Sequence, residues 1–268
     1  MSDLPPLAYS RPTTLAALRS ALKRRGACIY AGGTDLLVAL QRRDAAVRAV
    51  RELVDIKGIT QARGITDLGS QLRIGSLTTA AELAASKLVG RFAPALAEAA
   101  ALTSAPQLRR RGTLGGNLAT PHPAGDVATA LLALGATVEV ALPSGATRSV
   151  PVEAVLRRAP GRSLYVTVRV PKCRTSAFAK IGARPAFSRA LVSVAVAHLP
   201  DGVRVALGGL AERPFLARQT AGALDAGGDP AAAILADLDR SGNTSMTAAR
   251  LRQAAVLVAR VAARAMQP

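Results

Sequence analysis

Two glycine pairs, each beside hydroxyl or amide side chains, are the residues whose types and spacing point most directly to chemistry. The first pair lies in segment 29–36, Ile-Tyr-Ala-Gly-Gly-Thr-Asp-Leu, and the second in segment 113–117, Thr-Leu-Gly-Gly-Asn. Glycine has no Cβ, so its backbone N–H can approach an anion closely. Two such turns can hold one phosphate-bearing ligand from two sides. The pattern therefore indicates a protein that holds a cofactor.

Other kinds of site receive little support from the sequence. The glycine pairs match neither a Walker A loop, because no Gly-Lys-Ser/Thr follows, nor the Gly-x-Gly-x-x-Gly of dinucleotide folds. The two histidines, His122 and His198, have no neighbouring nucleophile with an orienting acid, and the two cysteines, Cys28 and Cys173, lie far apart. We therefore expect no catalytic residue and no metal site in this chain.

The formal net charge of +18 has three possible explanations: nucleic-acid binding, a solvated arginine-rich surface, and a docking surface for an acidic partner subunit. The basic residues are spread along the chain. With three Tyr, four Phe and no Trp, surfaces on which bases could stack are scarce. We expect no nucleic-acid partner, and the other two explanations stay open.

Composition indicates a folded, cytoplasmic protein. The chain has 268 residues, which is long enough for a full hydrophobic core and for two or three subdomains, and 50% of its residues are hydrophobic. No apolar run reaches the ~18 residues that a membrane span needs, and the first residues lack the pattern of a secretory signal. Two distant cysteines are too few for a disulfide framework.

The glycine pairs and the residues near them fall between predicted elements. A strand over 28–31 runs into the first pair and a helix over 36–42 follows, which puts the N–H groups of the turn at a helix N-terminus. After the second pair, Pro121-His122-Pro123 makes a fixed corner, and we expect Asp126 to cap an apolar helix over 127–134.

The order of predicted elements changes after Pro171. Three predicted strands (177–181, 190–198 and 203–208) precede two predicted helices (217–224 and 247–266), which indicates an α+β domain with its helices on one face of a sheet. On the first of these strands Phe178 and Lys180 share one face. An aromatic ring and a cation can hold an electron-rich planar ring system, but a core Phe with a snorkelling Lys is the interpretation that the residues alone favour.

Taken together, these segments resemble the FAD-binding (medium) subunit of the molybdenum hydroxylase family, of the xanthine dehydrogenase and carbon monoxide dehydrogenase type. The likeness rests on Ala-Gly-Gly-Thr-Asp-Leu-Leu at 31–37, Arg-Gly-Thr-Leu-Gly-Gly-Asn-Leu-Ala at 111–119 and Pro-Ala-Gly-Asp at 123–126, in this order and spacing. It extends into the last third through Phe-Ala-Lys-Ile-Gly-Ala-Arg at 178–184.

The resemblance implies an α+β fold in two domains. Residues 1–173 would form an FAD-binding domain of the vanillyl-alcohol-oxidase (PCMH) type, with subdomains at about 1–56 and 57–173. Residues 174–268 would form the C-terminal α+β domain of the carbon monoxide dehydrogenase flavoproteins.

The resemblance also implies non-covalent FAD, with its pyrophosphate held between the two glycine turns. Asp126 would bind the ribose or adenosine part, Tyr165 would contact the flavin through its backbone, and Lys180 and Phe178 would lie near the flavin ring. The implied cofactor-binding set is Ile29, Tyr30, Ala31, Gly32, Gly33, Thr34, Asp35, Leu36, Thr113, Leu114, Gly115, Gly116, Asn117, Asp126, Tyr165, Phe178 and Lys180.

The implied function is electron transfer inside a larger oxidoreductase. A molybdenum-cofactor large subunit and a small subunit with 2Fe-2S clusters would be the partners, in a heterotrimer or a dimer of heterotrimers. Electrons would leave for NAD⁺, a quinone or another acceptor. The alternative is a stand-alone FAD-dependent oxidoreductase that acts on a small molecule.

Overall fold

Helices and strands are interleaved in this computed structural model, which describes residues 6–142, 146–157, 164–184, 187–240 and 247–266. Within these residues the strands form three sheets, which we call the N-terminal, middle and C-terminal sheets in chain order. The mixture of helices and sheets confirms the predicted α+β class.

The N-terminal sheet is the small parallel sheet that carries the first glycine pair. Its elements are β1 (Ala8–Ser10), α1 (Leu15–Leu22), β2 (Ala27–Tyr30), α2 (Leu36–Arg42) and β3 (Glu52–Asp55), and the strand order is β1-β3-β2. Thr14 caps α1 by accepting the N–H of Ala17. The register pairs Tyr30 with Asp55, so β2 and β3 end at the same edge of the sheet. The residues that follow these two strands therefore lie side by side.

The middle sheet is antiparallel and holds the second glycine pair against its flank. Short 3-10 helices at Ile56–Gly58 and Thr60–Ala62 lead into it. Its strands are β4 (Ile65–Asp67), β5 (Gln71–Gly75), β6 (Thr137–Ala141), β7 (Thr147–Pro151) and β8 (Leu164–Pro171), in the order β4-β5-β8-β6-β7. Its helices are α3 (Ala80–Ala85), α4 (Lys87–Phe92), α5 (Pro94–Leu102), α6 (Pro106–Arg109), α7 (Leu114–Ala119), α8 (Asp126–Ala133) and α9 (Val152–Leu156).

Local sequence explains where several of these helices begin. Thr79 and Glu82 form a capping box that starts α3, and Pro94 stands at the first position of α5. The expected cap of α8 is wrong: Gly125 is the N-cap residue, and Asp126 is the first helical residue without a side-chain capping bond. The Asp126 carboxylate turns instead toward Lys180, whose ammonium it meets at 2.6 Å.

The C-terminal sheet is antiparallel and is covered on both faces. Its strands are β9 (Ser176–Gly182), β10 (Ala190–Leu199), β11 (Gly202–Gly208) and β12 (Phe215–Leu216), in the order β12-β11-β10-β9, followed by α10 (Arg218–Asp225), α11 (Pro230–Arg240) and α12 (Ala248–Ala265). One face packs under the two predicted helices, α10 and α12, and under α11, which was not predicted. The other face joins the core of the middle sheet through Ala195, Ala197 and Ala206.

Helix α8 joins the two larger sheets. All of its residues are buried, and Thr129 on this helix lies 3.5 Å from Ser193 of β10. A Cβ at Gly208 would lie within 3 Å of both hydroxyl oxygens, so this glycine permits the close approach. The chain passes from the middle to the C-terminal sheet between Pro171 and Ser176. In the described residues no helix is both long and apolar enough to cross a bilayer.

Candidate cofactor-binding site

The two glycine turns touch each other where the N-terminal and middle sheets meet. We call residues 31–35 the first glycine turn and residues 112–117 the second. A Cβ built on Gly32 would lie 2.1 Å from the carbonyl oxygen of Arg111 and 2.9 Å from its carbonyl carbon. Both neighbours are backbone atoms, which cannot rotate aside. Only glycine permits this contact, so the structure brings together two segments that lie far apart in sequence.

The first glycine turn presents free backbone donors. It leaves β2 and enters α2, and Gly33 has a φ of +74° that favours glycine. Within the described part of the chain, the N–H groups of Gly32, Gly33 and Thr34 donate to no protein acceptor. Successive free N–H groups in such a turn form a concave site for an anion.

The second glycine turn is built differently from the first, because the N–H groups of its residues 114–117 already have protein acceptors. Leu114 donates to the Thr78 carbonyl at 2.8 Å and Gly115 to the Ser76 carbonyl at 2.7 Å. Gly116 donates to the Thr113 hydroxyl at 3.2 Å, and Asn117 donates to the Thr113 carbonyl. The sequence-based expectation of a second set of free N–H groups is therefore wrong. The bonds from Leu114 and Gly115 hold the turn against residues 76–78.

The second glycine turn and the residues around it carry side-chain atoms that could bind a ligand. The hydroxyl oxygens of Ser76 and Thr78 and the Oδ1 atoms of Asn117 and Asp126 are buried and have no hydrogen-bond partner among the described residues. A buried polar atom without a partner destabilises the folded chain by about 1–3 kcal/mol. Ser76 and Thr78 also accept backbone bonds from the second glycine turn, and Asn117 belongs to it, so a polar ligand bound at this turn could supply the missing partners.

Two cations hold the carbonyl groups of the first glycine turn. The Lys57 ammonium lies 3.3 Å from the Ala31 oxygen, and Nε of Arg111 lies 3.3 Å from the Gly32 oxygen. Sequence reasoning missed both residues. The signals were present, because Arg111 directly precedes the second turn and Lys57 follows β3, whose end lies beside that of β2.

Asp55 anchors Lys57 in this position. Its carboxylate lies 2.9 Å from the ammonium and accepts the Tyr9 hydroxyl at 2.6 Å. Burial raises the pKa of Asp55, but hydrogen bonds from Tyr9 and Lys57 outweigh burial, and the net pKa lies below its ordinary value. Lys57 also stands over the ring of Tyr30, 4.1 Å from its centroid.

Asp126 and Lys180 form a buried ion pair at the junction with the C-terminal sheet. The Lys180 ammonium donates to Asp126 at 2.6 Å, to the Leu102 carbonyl at 2.8 Å and to the Ser188 carbonyl at 3.1 Å. Its three donors are thus matched by three protein acceptors. Burial raises the pKa of Asp126 to about 6, against the opposing effect of Lys180. Lys180 is a tethered cation here, and its approach to a flavin ring stays a prediction.

Phe178 and Tyr165 lie in different settings. Phe178 is 1% exposed within the core of the middle sheet, and its N–H donates to Glu98. The expected contact between this ring and a flavin is wrong for this structure, because no face of the ring is accessible. Tyr165 is partly buried on β8, next to Val166, whose carbonyl accepts the N–H of Ser76. Tyr165 thus lies one residue from the support of the second glycine turn.

The proline corner, residues 121–123, lies near the start of α2. Nδ1 of His122 accepts the Ala124 N–H at 3.0 Å. Burial and the charge of Arg189 lower the pKa of His122, and the charge of Asp35 opposes them. The corner therefore lies within electrostatic range of Asp35, the N-cap residue of α2.

Nowhere in the described chain do three or more His, Cys, Asp or Glu side chains gather as metal ligands.

A cavity of about 450 Å³ opens beside Lys180, between the end of α5 and the turn from β9 to β10. Its lining includes Leu102, Arg109, Arg184 and Phe187. Phe187 is 58% exposed, so an apolar ring stands beside two guanidinium groups. The cavity adjoins the Asp126–Lys180 pair and is large enough to admit a planar ring system.

Comparison with known proteins gives the family. Residues 5–173 match the family model described as the FAD binding domain in molybdopterin dehydrogenase. The chain is 36% identical to the carbon monoxide dehydrogenase medium chain of Hydrogenophaga pseudoflava, over 56% of this chain and 51% of that one. It is 30% identical to the aldehyde oxidoreductase FAD-binding subunit PaoB of Escherichia coli K12, over 77% of this chain and 82% of that one. Matches to the first curated relatives span about half of their length.

Solved structures share the fold over nearly the whole chain. A chain of the Cu,Mo-CO dehydrogenase superposes with a TM-score of 0.85 at 24% identity, covering 98% of both chains. A chain of quinoline 2-oxidoreductase from Pseudomonas putida 86 gives 0.83 at 26% identity, covering 99% of this chain and 98% of that one. The predicted PCMH-type FAD-binding fold is thereby confirmed. The chain belongs to the family of FAD-binding domains of molybdopterin dehydrogenases.

Proposed function

We propose that this chain is the FAD-binding electron-transfer subunit of a molybdopterin-dependent hydroxylase. The observation that carries the proposal is the contact between the two glycine turns, one with free backbone donors and the other beside unpartnered buried side chains. A ligand that completes this site needs anionic oxygens for the N–H groups and hydroxyl or amino donors for the carbonyl and carboxylate oxygens. FAD has both, in its pyrophosphate and in its ribose and ribityl hydroxyls.

The residues present therefore fit FAD. The N–H groups of Gly32, Gly33 and Thr34 would bind the pyrophosphate, and the hydroxyls of Ser76 and Thr78 would donate to it or to a neighbouring oxygen. Oδ1 of Asn117 and Oδ1 of Asp126 would accept hydrogen bonds from sugar hydroxyls. We assign the cavity beside Lys180 to the isoalloxazine end.

This chain's own residues bind, orient and shield the cofactor. When bound, FAD supplies the redox chemistry that the side chains of the protein cannot provide. Lys180 fixes Asp126 through an ion pair that is nearly enclosed, with the two side chains 10% and 3% exposed. Low exposure excludes water from that end of the site, and the ion pair ties α8 to the C-terminal sheet.

We propose a molybdenum-cofactor large subunit and a small 2Fe-2S subunit as partners, in a heterotrimer or a dimer of heterotrimers in the cytoplasm. Electrons would enter from the 2Fe-2S clusters and leave for NAD⁺, a quinone or another acceptor. The names of relatives support this proposal, since one is a medium chain and another is an FAD-binding subunit. We expect the hydroxylation itself to take place in the large subunit.

Purification from the native host through a tag on this chain tests the proposal. We expect a large molybdenum-containing subunit and a small iron–sulfur subunit to co-purify with it in a fixed ratio, with one FAD per copy of this chain. A flavoprotein that purifies alone and turns over small molecules by itself would support the stand-alone oxidoreductase instead. A protein that takes up no FAD would contradict both.

A further inference from the structure

We infer that Lys57 and Arg111 are positioning residues that orient the N–H groups of the first glycine turn by holding the carbonyls of the same peptide units. The inference rests on the proposed role of this turn in binding the pyrophosphate. Lys57 contacts the Ala31 oxygen and Arg111 contacts the Gly32 oxygen. The Ala31 carbonyl shares its peptide plane with the Gly32 N–H, and the Gly32 carbonyl shares its plane with the Gly33 N–H.

Peptide geometry links each cation to one donor. A trans peptide unit is planar, and its C=O and N–H point in opposite directions. A cation bound to the carbonyl therefore fixes the N–H to point away from that cation. The effect matters most at Gly32 and Gly33, because glycine has the widest choice of backbone angles and its peptide planes rotate at little cost.

Lys57 is well placed to act as a fixed anchor. Its ammonium is held by the Asp55 carboxylate at 2.9 Å and by the Tyr30 ring at 4.1 Å, in addition to the Ala31 oxygen. Asp55 in turn accepts the Tyr9 hydroxyl and the Lys57 N–H. The side chain of Asp55 is 3% exposed, so Lys57 is held by a buried carboxylate of the N-terminal sheet.

Arg111, in the loop that precedes the second glycine turn, holds the other carbonyl. Its guanidinium reaches the Gly32 oxygen at 3.3 Å and the Tyr30 hydroxyl at 3.4 Å, while its own carbonyl packs against Gly32. One residue thus joins the second glycine turn to the first through side chain and backbone. The two adjacent peptide planes of the first turn are held by cations from different parts of the chain.

The test is an FAD titration of the apoprotein with Arg111→Met, Lys57→Met and the double variant. Arg110→Met is the matched control, because it removes the same charge from a neighbouring exposed residue whose side chain makes no hydrogen bond to the first glycine turn among the described residues. We expect each single variant to raise the Kd for FAD about tenfold, the order that follows from one poorly oriented charge-assisted hydrogen bond. We expect the control to stay within about twofold.

The double variant separates orientation from simple attraction between charges. If the cations orient one turn, the second substitution acts on a turn that is already loose, and the double variant should lose clearly less than the product of the two single effects. Independent multiplication of the effects, or an equal loss in Arg110→Met, would overturn the inference. Arg111 is exposed, so Arg111→Met should fold, and a Kd unchanged from wild type in this variant would overturn it also. A wild-type protein that fails to bind FAD would instead refute the proposed function.

Discussion

The substitution Gly32→Ala places a methyl group at the contact between the two glycine turns. The added Cβ would lie 2.1 Å from the Arg111 oxygen and 3.3 Å from Cα of Gly112, so only backbone stands in its way. An ordinary contact needs at least 3.4 Å, and the turns must therefore separate by more than ~1 Å. Inserting a methyl group into a close-packed contact destabilises a protein by about 1–3 kcal/mol.

The expected consequence is weak FAD binding by a folded protein. If the strain falls on the bound state, about 1–3 kcal/mol raises the Kd for FAD by roughly 5- to 150-fold, since 1.4 kcal/mol is tenfold. Quenching of flavin fluorescence during titration of the apoprotein measures the Kd, and thermal melting without FAD measures the stability. Together they show how the strain divides between folding and binding.

Two further glycine substitutions serve as controls for Gly32→Ala. Gly90→Ala adds the same methyl group in α4, where no atom beyond its chain neighbours and its own helix backbone lies within 4 Å, so FAD binding should stay at the wild-type level. Gly116→Ala meets one side-chain hydroxyl, that of Thr113, at 3.0 Å and should have a smaller effect than Gly32→Ala. Wild-type FAD affinity together with wild-type melting in Gly32→Ala would show that the two turns are not in contact.

Two further predictions concern the buried ion pair. Burial raises the pKa of Asp126 to about 6, so the folded chain binds a proton at this carboxyl more tightly than the unfolded chain does. The carboxyl therefore stabilises the folded state at low pH, and this stabilisation is lost as the pH rises from about 4 to 6. Asp126→Asn should remove this pH dependence. Urea unfolding should then show the free energy of unfolding of wild type, relative to that of the variant, falling by up to ~3 kcal/mol from about pH 4 to 6. Free energies of unfolding that change in parallel with pH in the two proteins would contradict the prediction. Lys180→Met leaves the carboxylate buried without its partner and should destabilise the chain by about 3–5 kcal/mol, whereas Lys180→Met with Asp126→Leu should recover part of the loss. Unchanged melting in Lys180→Met, with a shifted flavin potential, would instead place a free cation at the ring.

The first glycine turn was predictable because its information is local. An apolar strand runs into the glycine pair and a helix follows, and the structure has β2 ending at Tyr30 and α2 over the predicted 36–42. Helix α11 shows that a local signal can also be overlooked. Asp229 accepts the Ala231 N–H and Pro230 is the first helical residue, a common start that the sequence reasoning passed over.

The second glycine turn was predictable only in part, because its acceptors lie elsewhere in the chain. Nothing within residues 112–117 shows that the N–H groups of Leu114 and Gly115 bond to the carbonyls of Thr78 and Ser76. The same limit applies to Lys180, whose three acceptors come from separate elements. Tertiary pairing decides which polar groups remain free, and a single sequence does not encode that pairing in any short pattern.

The domain boundaries at about 56 and 173 remain proposals, although the sheets change near both points. The N-terminal sheet ends at Asp55 and the middle sheet begins at Ile65. The core beneath the first turn nevertheless draws residues from both sides, including Val54 and Leu164. We therefore expect residues 1–56 not to fold alone.

A crystal structure of the chain with FAD tests most directly whether the first glycine turn binds the FAD pyrophosphate while the second turn and its neighbours contact the rest of the cofactor. We predict pyrophosphate oxygens at about 2.7–3.2 Å from the backbone nitrogens of Gly32 and Gly33, with Asn117 Oδ1 accepting a hydrogen bond from a hydroxyl of the cofactor. A pyrophosphate bound elsewhere, with the N–H groups of the first glycine turn facing water, would contradict it.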